Sequence, residues 1–201
     1  MTPTTELQVA PFSGADLRQL IPEVARLRIR VFRDFPYLYE GSEDYEAGYL
    51  NTYVEAPGAV VVLARAGDKV IGAATGVPLV HEPEYVRAPL NAAGYDPARV
   101  FYFGESVLLP EYRGRGIGVR FLAEREAHAR ALGGFDWLCF CAVVRPPDHP
   151  RRPSDYVPLD AFWRKRGFAR HPDLQCVFHW QDLDEDAQSA KPMAYWLKRL
   201  D

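Results

Sequence analysis

The feature that most restricts how this chain can fold is a run of alternating glycines, Arg113-Gly114-Arg115-Gly116-Ile117-Gly118. It follows an apolar stretch, residues 100–109, that reads as a strand whose ladder is stopped by Pro110. It opens a segment that reads as a helix from about Gly116 to the stop signal Gly133-Gly134. That helix is read from its end signals, because its apolar positions make a poor stripe. The first turn of a helix leaves backbone N–H groups without partners, and the helix dipole adds partial positive charge beside them. An anion fits there. Gly114, Gly116 and Gly118 carry no Cβ to keep a pyrophosphate off the backbone, while Arg113 and Arg115 add charge-assisted donors. The alternative, a tight turn that holds no ligand, leaves two arginines crowding a positive helix end with no anion to offset them.

Two other phosphate-binding patterns do not fit. The dinucleotide fingerprint G-x-G-x-x-G, counted from Gly114, needs its third glycine where Val119 stands, and the next strand ends in Val143-Val144-Arg145 with no acid for a ribose hydroxyl. A P-loop needs Gly-Lys-Ser or Gly-Lys-Thr, and neither occurs. A net charge of −3 lacks the basic excess of a phosphate-backbone binder, so nucleic acid is not an expected partner. No apolar run approaches the ~18 residues of a membrane span, and the first residues lack a basic region before an apolar core. The expected location is the cytoplasm, with no membrane partner. Cys139, Cys141 and Cys176 fit no zinc spacing, and Cys139 and Cys141, two apart on a strand, read as small buried hydrophobes on one face. No metal is expected.

With 48% of its residues apolar, the chain can bury one substantial core, and no repeat or linker divides it, so residues 1–201 read as one domain. A strand candidate at residues 7–10 precedes a helical spacing of apolar residues from Leu17 to Val31, with Ser13 and Asp16 placed as a capping pair and Pro22 expected to kink or restart the helix. An aromatic loop at residues 35–39 leads to an acidic helix at about 42–53. Apolar runs at 59–64 and 70–77, joined through Gly67-Asp68, read as a hairpin. Residues 80–99 show no period and read as a long loop, functional or disordered. Residues 135–143 read as a strand covered on both faces, 159–166 as a short helix ending at Gly167, and 176–180 and 193–197 as the last strands.

The pattern R-x-x-G-x-G, filled by Arg113, Gly116 and Gly118 directly after a strand ending in a proline bend, resembles the cofactor signature Q/R-x-x-G-x-G/A of the GNAT superfamily of N-acetyltransferases. Leu108-Leu109-Pro110-Glu111-Tyr112 looks like that family's lead-in, and Phe162-Trp163-Arg164-Lys165-Arg166-Gly167-Phe168 is similar to its L/F-Y-x-K-x-G-F segment. With the upstream hairpin, the resemblance covers residues 7–200. It implies an α/β chain with the GNAT fold: a mixed central sheet of about seven strands, splayed at the cofactor site and flanked by about four helices. It also implies acetyl-CoA as co-substrate and direct attack on the thioester by a primary amine of a small molecule or peptide. By the same resemblance the cofactor lies against Ser106, Val107 and Leu108 in the splay and against Arg113, Gly114, Arg115, Gly116, Ile117, Gly118 and Val119 at the pyrophosphate. A homodimer is implied by analogy of fold.

An attacking amine must be neutral, so the site needs a proton acceptor. Glu105 is the candidate, as the one carboxylate within an apolar and aromatic strand; a solvent-facing or ion-paired Glu is the alternative. The family's usual Tyr is replaced by Trp163, and its upstream Asn by Tyr156, so Tyr156 is the candidate acid, with packing or cofactor contact as its alternative. For the acceptor, Tyr37, Tyr39, Glu40, Asp44, Tyr45 and Glu46 suit a cationic amine. Arg145, His149, Arg151 and Arg152 point instead to a carboxylate or phosphate, or to the cofactor's own 3′-phosphate. A silent acyl-CoA sensor or an interaction module on the same fold is the competing function.

Overall fold

The computed structural model describes residues 6–200. Seven strands, β1 (Leu7–Phe12), β2 (Val60–Ala66), β3 (Lys69–Pro78), β4 (Val100–Leu108), β5 (Trp137–Val143), β6 (Ala169–Trp180) and β7 (Ser189–Arg199), form one sheet in the order β1-β2-β3-β4-β5-β7-β6. Only β4 and β5 run parallel, so the sheet is mixed. Five helices flank it: α1 (Ile21–Phe32), α2 (Glu43–Glu55), α3 (Glu84–Ala92), α4 (Ile117–Leu132) and α5 (Asp160–Arg164). α1 and α2 pack on β3 and β4 from one face, α4 crosses β1 to β4, and α3 lies over β6. Ala64, Ala73 and Ala74 are wholly buried, because small side chains are what a sheet covered on both faces admits at its centre.

Local chemistry explains most boundaries. Gly67, at φ 58°, makes the two-residue turn between β2 and β3. Ser42 caps α2 by accepting from the Tyr45 amide at 3.4 Å. Pro22 restarts the chain as α1, where the first turn tolerates a missing N–H. Ser13 does not cap: it precedes a 3₁₀ stretch, Gly14–Leu20, and its side chain makes no cap hydrogen bond.

Residues 80–99 are not the structureless loop expected. They hold α3 between 3₁₀ turns at Leu79–His81 and Pro97–Arg99. With Pro89 inside and only Val86 and Leu90 buried, α3 is too short to show a period. It is the helix beyond the four anticipated. The last two strands also run longer than their apolar cores, since exposed polar residues alternate along β6.

The middle of β4 sets up everything nearby. Its register with β3 shifts between Ala74 and Gly76, so two residues, Gly104 and Glu105, stand opposite Thr75. A bulge of this kind re-aims a side chain. Arg125 of α4, 1% exposed, clamps it: Nη1 donates to the carbonyls of Thr75 (2.9 Å) and Glu105 (3.1 Å), Nη2 to Ser106 Oγ (2.8 Å). Burial lowers its pKa to about 9, against the pull of the Glu105 charge, so it remains a cation at neutral pH. Gly104 has no room for a side chain, since a Cβ would stand 2.3 Å from Tyr53 Oη and 2.5 Å from Thr75 Oγ1. Gly104→Ala is expected to cost about 1–3 kcal/mol in urea denaturation through this overpacking. A variant as stable as the parent would show that the bulge yields freely.

Candidate active site

β4 pairs with β5 only at Val100, Phe101 and Tyr102, whereas β5 goes on pairing with β7 as far as Val143. Beyond Tyr102 the two strands part, and one edge of β4 lies open. The Leu109 amide donates to the Ile71 carbonyl at 3.0 Å. By the alternation of an antiparallel ladder, Val107 and Leu109 therefore face β3, and Ser106 and Leu108 face the gap. Val107, expected to meet the cofactor, is wholly buried and commits its main chain to β3.

At the end of this edge the glycine turn behaves as an anion site should. The Arg113 amide is taken by the Pro110 carbonyl, and those of Val119 and Arg120 by the Gly116 carbonyl. Between them, the five consecutive amides of Gly114 to Gly118 have no acceptor among the described residues. Gly114 and Gly116 sit at φ 76° and 79°, with open space where a Cβ would be. Arg113 and Arg115 are exposed beside them. The residues present fit a diphosphate here and an extended arm along Ser106 and Leu108. Val119 adds no donor.

Glu105 projects from the bulge towards α1 and α2, not to solvent. Its side chain is 7% exposed; Oε1 pairs with Arg28 Nη1, and Oε2 accepts from Tyr49 Oη at 3.0 Å. Arg28, on the inner face of α1, also pairs through Nε with the fully buried Glu46 of α2. Burial works against the Arg28 charge, and the carboxylates more than offset it, so its pKa stands well above the ordinary value. Tyr49 Oη meets Tyr53 Oη at 2.8 Å, and Tyr53 Oη lies 3.4 Å from Oε1 of Glu82, just ahead of α3. Burial and the nearby Glu105 charge push the Glu82 pKa up to about 7, with the Tyr53 hydroxyl pulling the other way.

The profile of the Acetyltransferase (GNAT) family matches residues 24–168, most of the chain. The chain belongs to the GNAT acetyltransferase family. No curated protein matches it in sequence. Among solved structures, an acetyltransferase from Thermus thermophilus aligns at TM-score 0.58 and 15% identity, over 98% of this chain and 99% of that one. YncA of Salmonella typhimurium, solved with its cofactor acetyl-CoA, aligns at 0.61 and 11%, over 97% and 94%. The ribosomal-protein-alanine N-acetyltransferase of Brucella melitensis aligns at 0.61 and 14%, over 96% and 99%. At these identities the likeness is one of fold.

The remaining residues singled out in this GNAT sequence are held by packing and ion pairs. Tyr156 packs edge-on against Phe35 at 4.7 Å, with the Arg152 guanidinium 4.9 Å over its ring, and burial raises its pKa. It does not join Glu105. Trp163 fills core between Phe140 and Trp196, at 5.0 Å from each. Arg145 does not wait for an external anion: it pairs with Asp182 at 2.7 Å and donates to the carbonyls of Pro36 and Tyr37, both at 2.7 Å, pinning the aromatic loop. Cys139, Cys141 and Cys176 are buried thiols. Among the described residues no group of His, Cys, Asp and Glu could hold a metal, and no helix is long and apolar enough to cross a membrane.

Sequence reading missed Arg28, Tyr49, Tyr53, Glu82 and Arg125. One signal was available: Tyr49 and Tyr53 are four apart, so they share a face of their helix. Arg28→Met would leave Glu105 and Glu46 buried without their cation. It is expected to lower stability by about 3–5 kcal/mol in chemical denaturation, and a loss under ~1 kcal/mol would mean that water already solvates the cluster.

Proposed function

We propose that this chain is an N-acetyltransferase that moves acetyl from acetyl-CoA to a primary amine of a small molecule or peptide, by direct attack in a ternary complex. The observation that carries the reading is the continuity of two surfaces: the edge of β4 left by β5, at Ser106 and Leu108, where the exposed Arg113 reaches the Leu108 carbonyl at 3.4 Å, runs into the free amides of Gly114 to Gly118. Such an edge recruits an extended ligand by main-chain pairing, and such a turn holds its phosphates. When bound, acetyl-CoA supplies an acyl thioester and a thiol leaving group.

The protein's own part begins with Glu105, whose carboxylate is fixed beside the gap by Arg28 and Tyr49 and takes the proton of the amine. The acceptor is drawn to the side of β4 that carries α1 and α2, where Glu46, Glu82 and Glu105 outnumber Arg28 and Tyr49 and Tyr53 stand between them. Carboxylates beside aromatic faces suit an ammonium group. Tyr37 and Tyr156 are the hydroxyls offered to the departing thiolate. Burial keeps both as neutral phenols, and Tyr37 feels Cys141 on β5 and Glu105 on β4. The reading takes residues 1–201 as one cytoplasmic domain, with the outer edges of β1 and β6 open to a second copy.

Release of free thiol from acetyl-CoA is expected with at least one member of a panel of primary amines. Glu105→Gln should slow that release by on the order of 10²-fold while calorimetry finds acetyl-CoA affinity unchanged. Binding of acetyl-CoA with no release from any amine would favour a sensor. Tyr156→Phe with undiminished turnover would remove Tyr156 from the chemistry.

A further inference from the structure

The hydrogen-bonded line that leaves Glu105 has a second end. From the structure we infer that Tyr49 and Tyr53 form a proton relay from Glu105 to Glu82, which is the terminal acceptor and returns the proton to solvent. The inference rests on the transferase reading above.

Geometry carries it. The Glu105 side chain is 7% exposed, with one oxygen on Arg28 and the other on Tyr49, so its hydrogen-bonded way out on the side away from the acceptor runs through Tyr49. Glu105 Oε2, Tyr49 Oη, Tyr53 Oη and Glu82 Oε1 follow one another at 3.0, 2.8 and 3.4 Å. Glu82 ends the line, half-buried between two exposed residues, His81 and Pro83. Both tyrosines are held as neutral phenols by burial, as a relay that passes protons without storing charge requires.

In the step, the N–H bond of the acceptor ammonium breaks, its electron pair stays on nitrogen, and the proton reaches Glu105. Glu105 then gives it to Tyr49 Oη as Tyr49 gives its own to Tyr53 and Tyr53 gives its own to Glu82. Each phenol loses one proton and gains one, Glu105 is again a carboxylate beside Arg28, and Glu82 holds the proton. The titratable groups around Glu82 are Tyr49 and Tyr53 from α2, Tyr102 and Glu105 from β4, the thiols of Cys139 and Cys176 from β5 and β6, and Tyr85 from α3. The nearby Glu105 charge favours the proton on Glu82.

The test is a pH–rate profile with phenethylamine, cadaverine and a peptide bearing a free N-terminus as probes, set beside a ¹³C-carboxylate NMR titration of the free protein. In the wild type, turnover should rise with pH through about 7 and then level, and one carboxyl resonance should titrate there. Glu82→Gln should abolish both features and slow turnover at least about tenfold. Tyr53→Phe should abolish the kinetic inflection while the Glu82 resonance still titrates, because only the link is cut. An inflection that survives in either variant, or a Glu82 midpoint in the ordinary carboxylate range, would overturn the relay and leave the transferase intact. Acetyl-CoA binding with no turnover of any probe would overturn the transferase reading and the relay with it.

Discussion

The site depends on β4 being unable to serve two neighbours along its whole length. β5 keeps its ladder with β7 to Val143, so β4 loses β5 after Tyr102, and a bulge opposite Thr75 turns what remains. An irregular strand in a sheet core leaves carbonyls without ladder partners, and each unpaired group costs free energy. Arg125 meets that demand from below, its guanidinium spread over Thr75, Glu105 and Ser106. A cation buried without a direct carboxylate partner is costly, and the multiple hydrogen bonds are what make it tolerable. The same clamp sets Glu105 on the face of α1 and α2 and Ser106 towards the gap. Fold and site thus share one local distortion.

Charge is distributed over the two sides of the sheet to match. At the glycine turn, unsatisfied amides and exposed arginines present positive potential to solvent. On the other side of β4, Glu46 and Glu105 pair with Arg28, and Tyr49 and Tyr53 link Glu105 to a third carboxylate, Glu82. An anion and a cation would therefore approach β4 from opposite faces and meet at its open edge. The pinned aromatic loop closes one flank of that edge, held by Arg145, Asp182 and the indole of Trp180, which donates to the Tyr37 carbonyl at 3.0 Å.

Where sequence reading succeeded, the signal was local. The glycine turn, the hairpin at Gly67 and the restart at Pro22 each follow from what one or two residues permit, and the structure keeps them. Glu105 stood out as a carboxylate in an apolar strand, yet its partners did not, because Arg28 and Glu82 come from elements far apart in sequence. Nothing local distinguishes Arg28 from the solvated arginines of the same helix. α3 was invisible since two buried positions and an internal proline make no period. Arg145 misled for the opposite reason: a basic residue in a polar loop reads as a ligand contact until the buried Asp182 that claims it is seen.

Whether the glycine turn and the open edge of β4 hold one ligand between them is decided by an amide NMR titration of the ¹⁵N-labelled protein with coenzyme A. The resonances of Gly114 to Gly118 are expected to shift most, as free donors take up phosphate oxygens, and Ser106 and Leu108 to shift with them while Val107 moves little. Binding that left those five amides where they were, or shifts centred on another part of the surface, would contradict this arrangement.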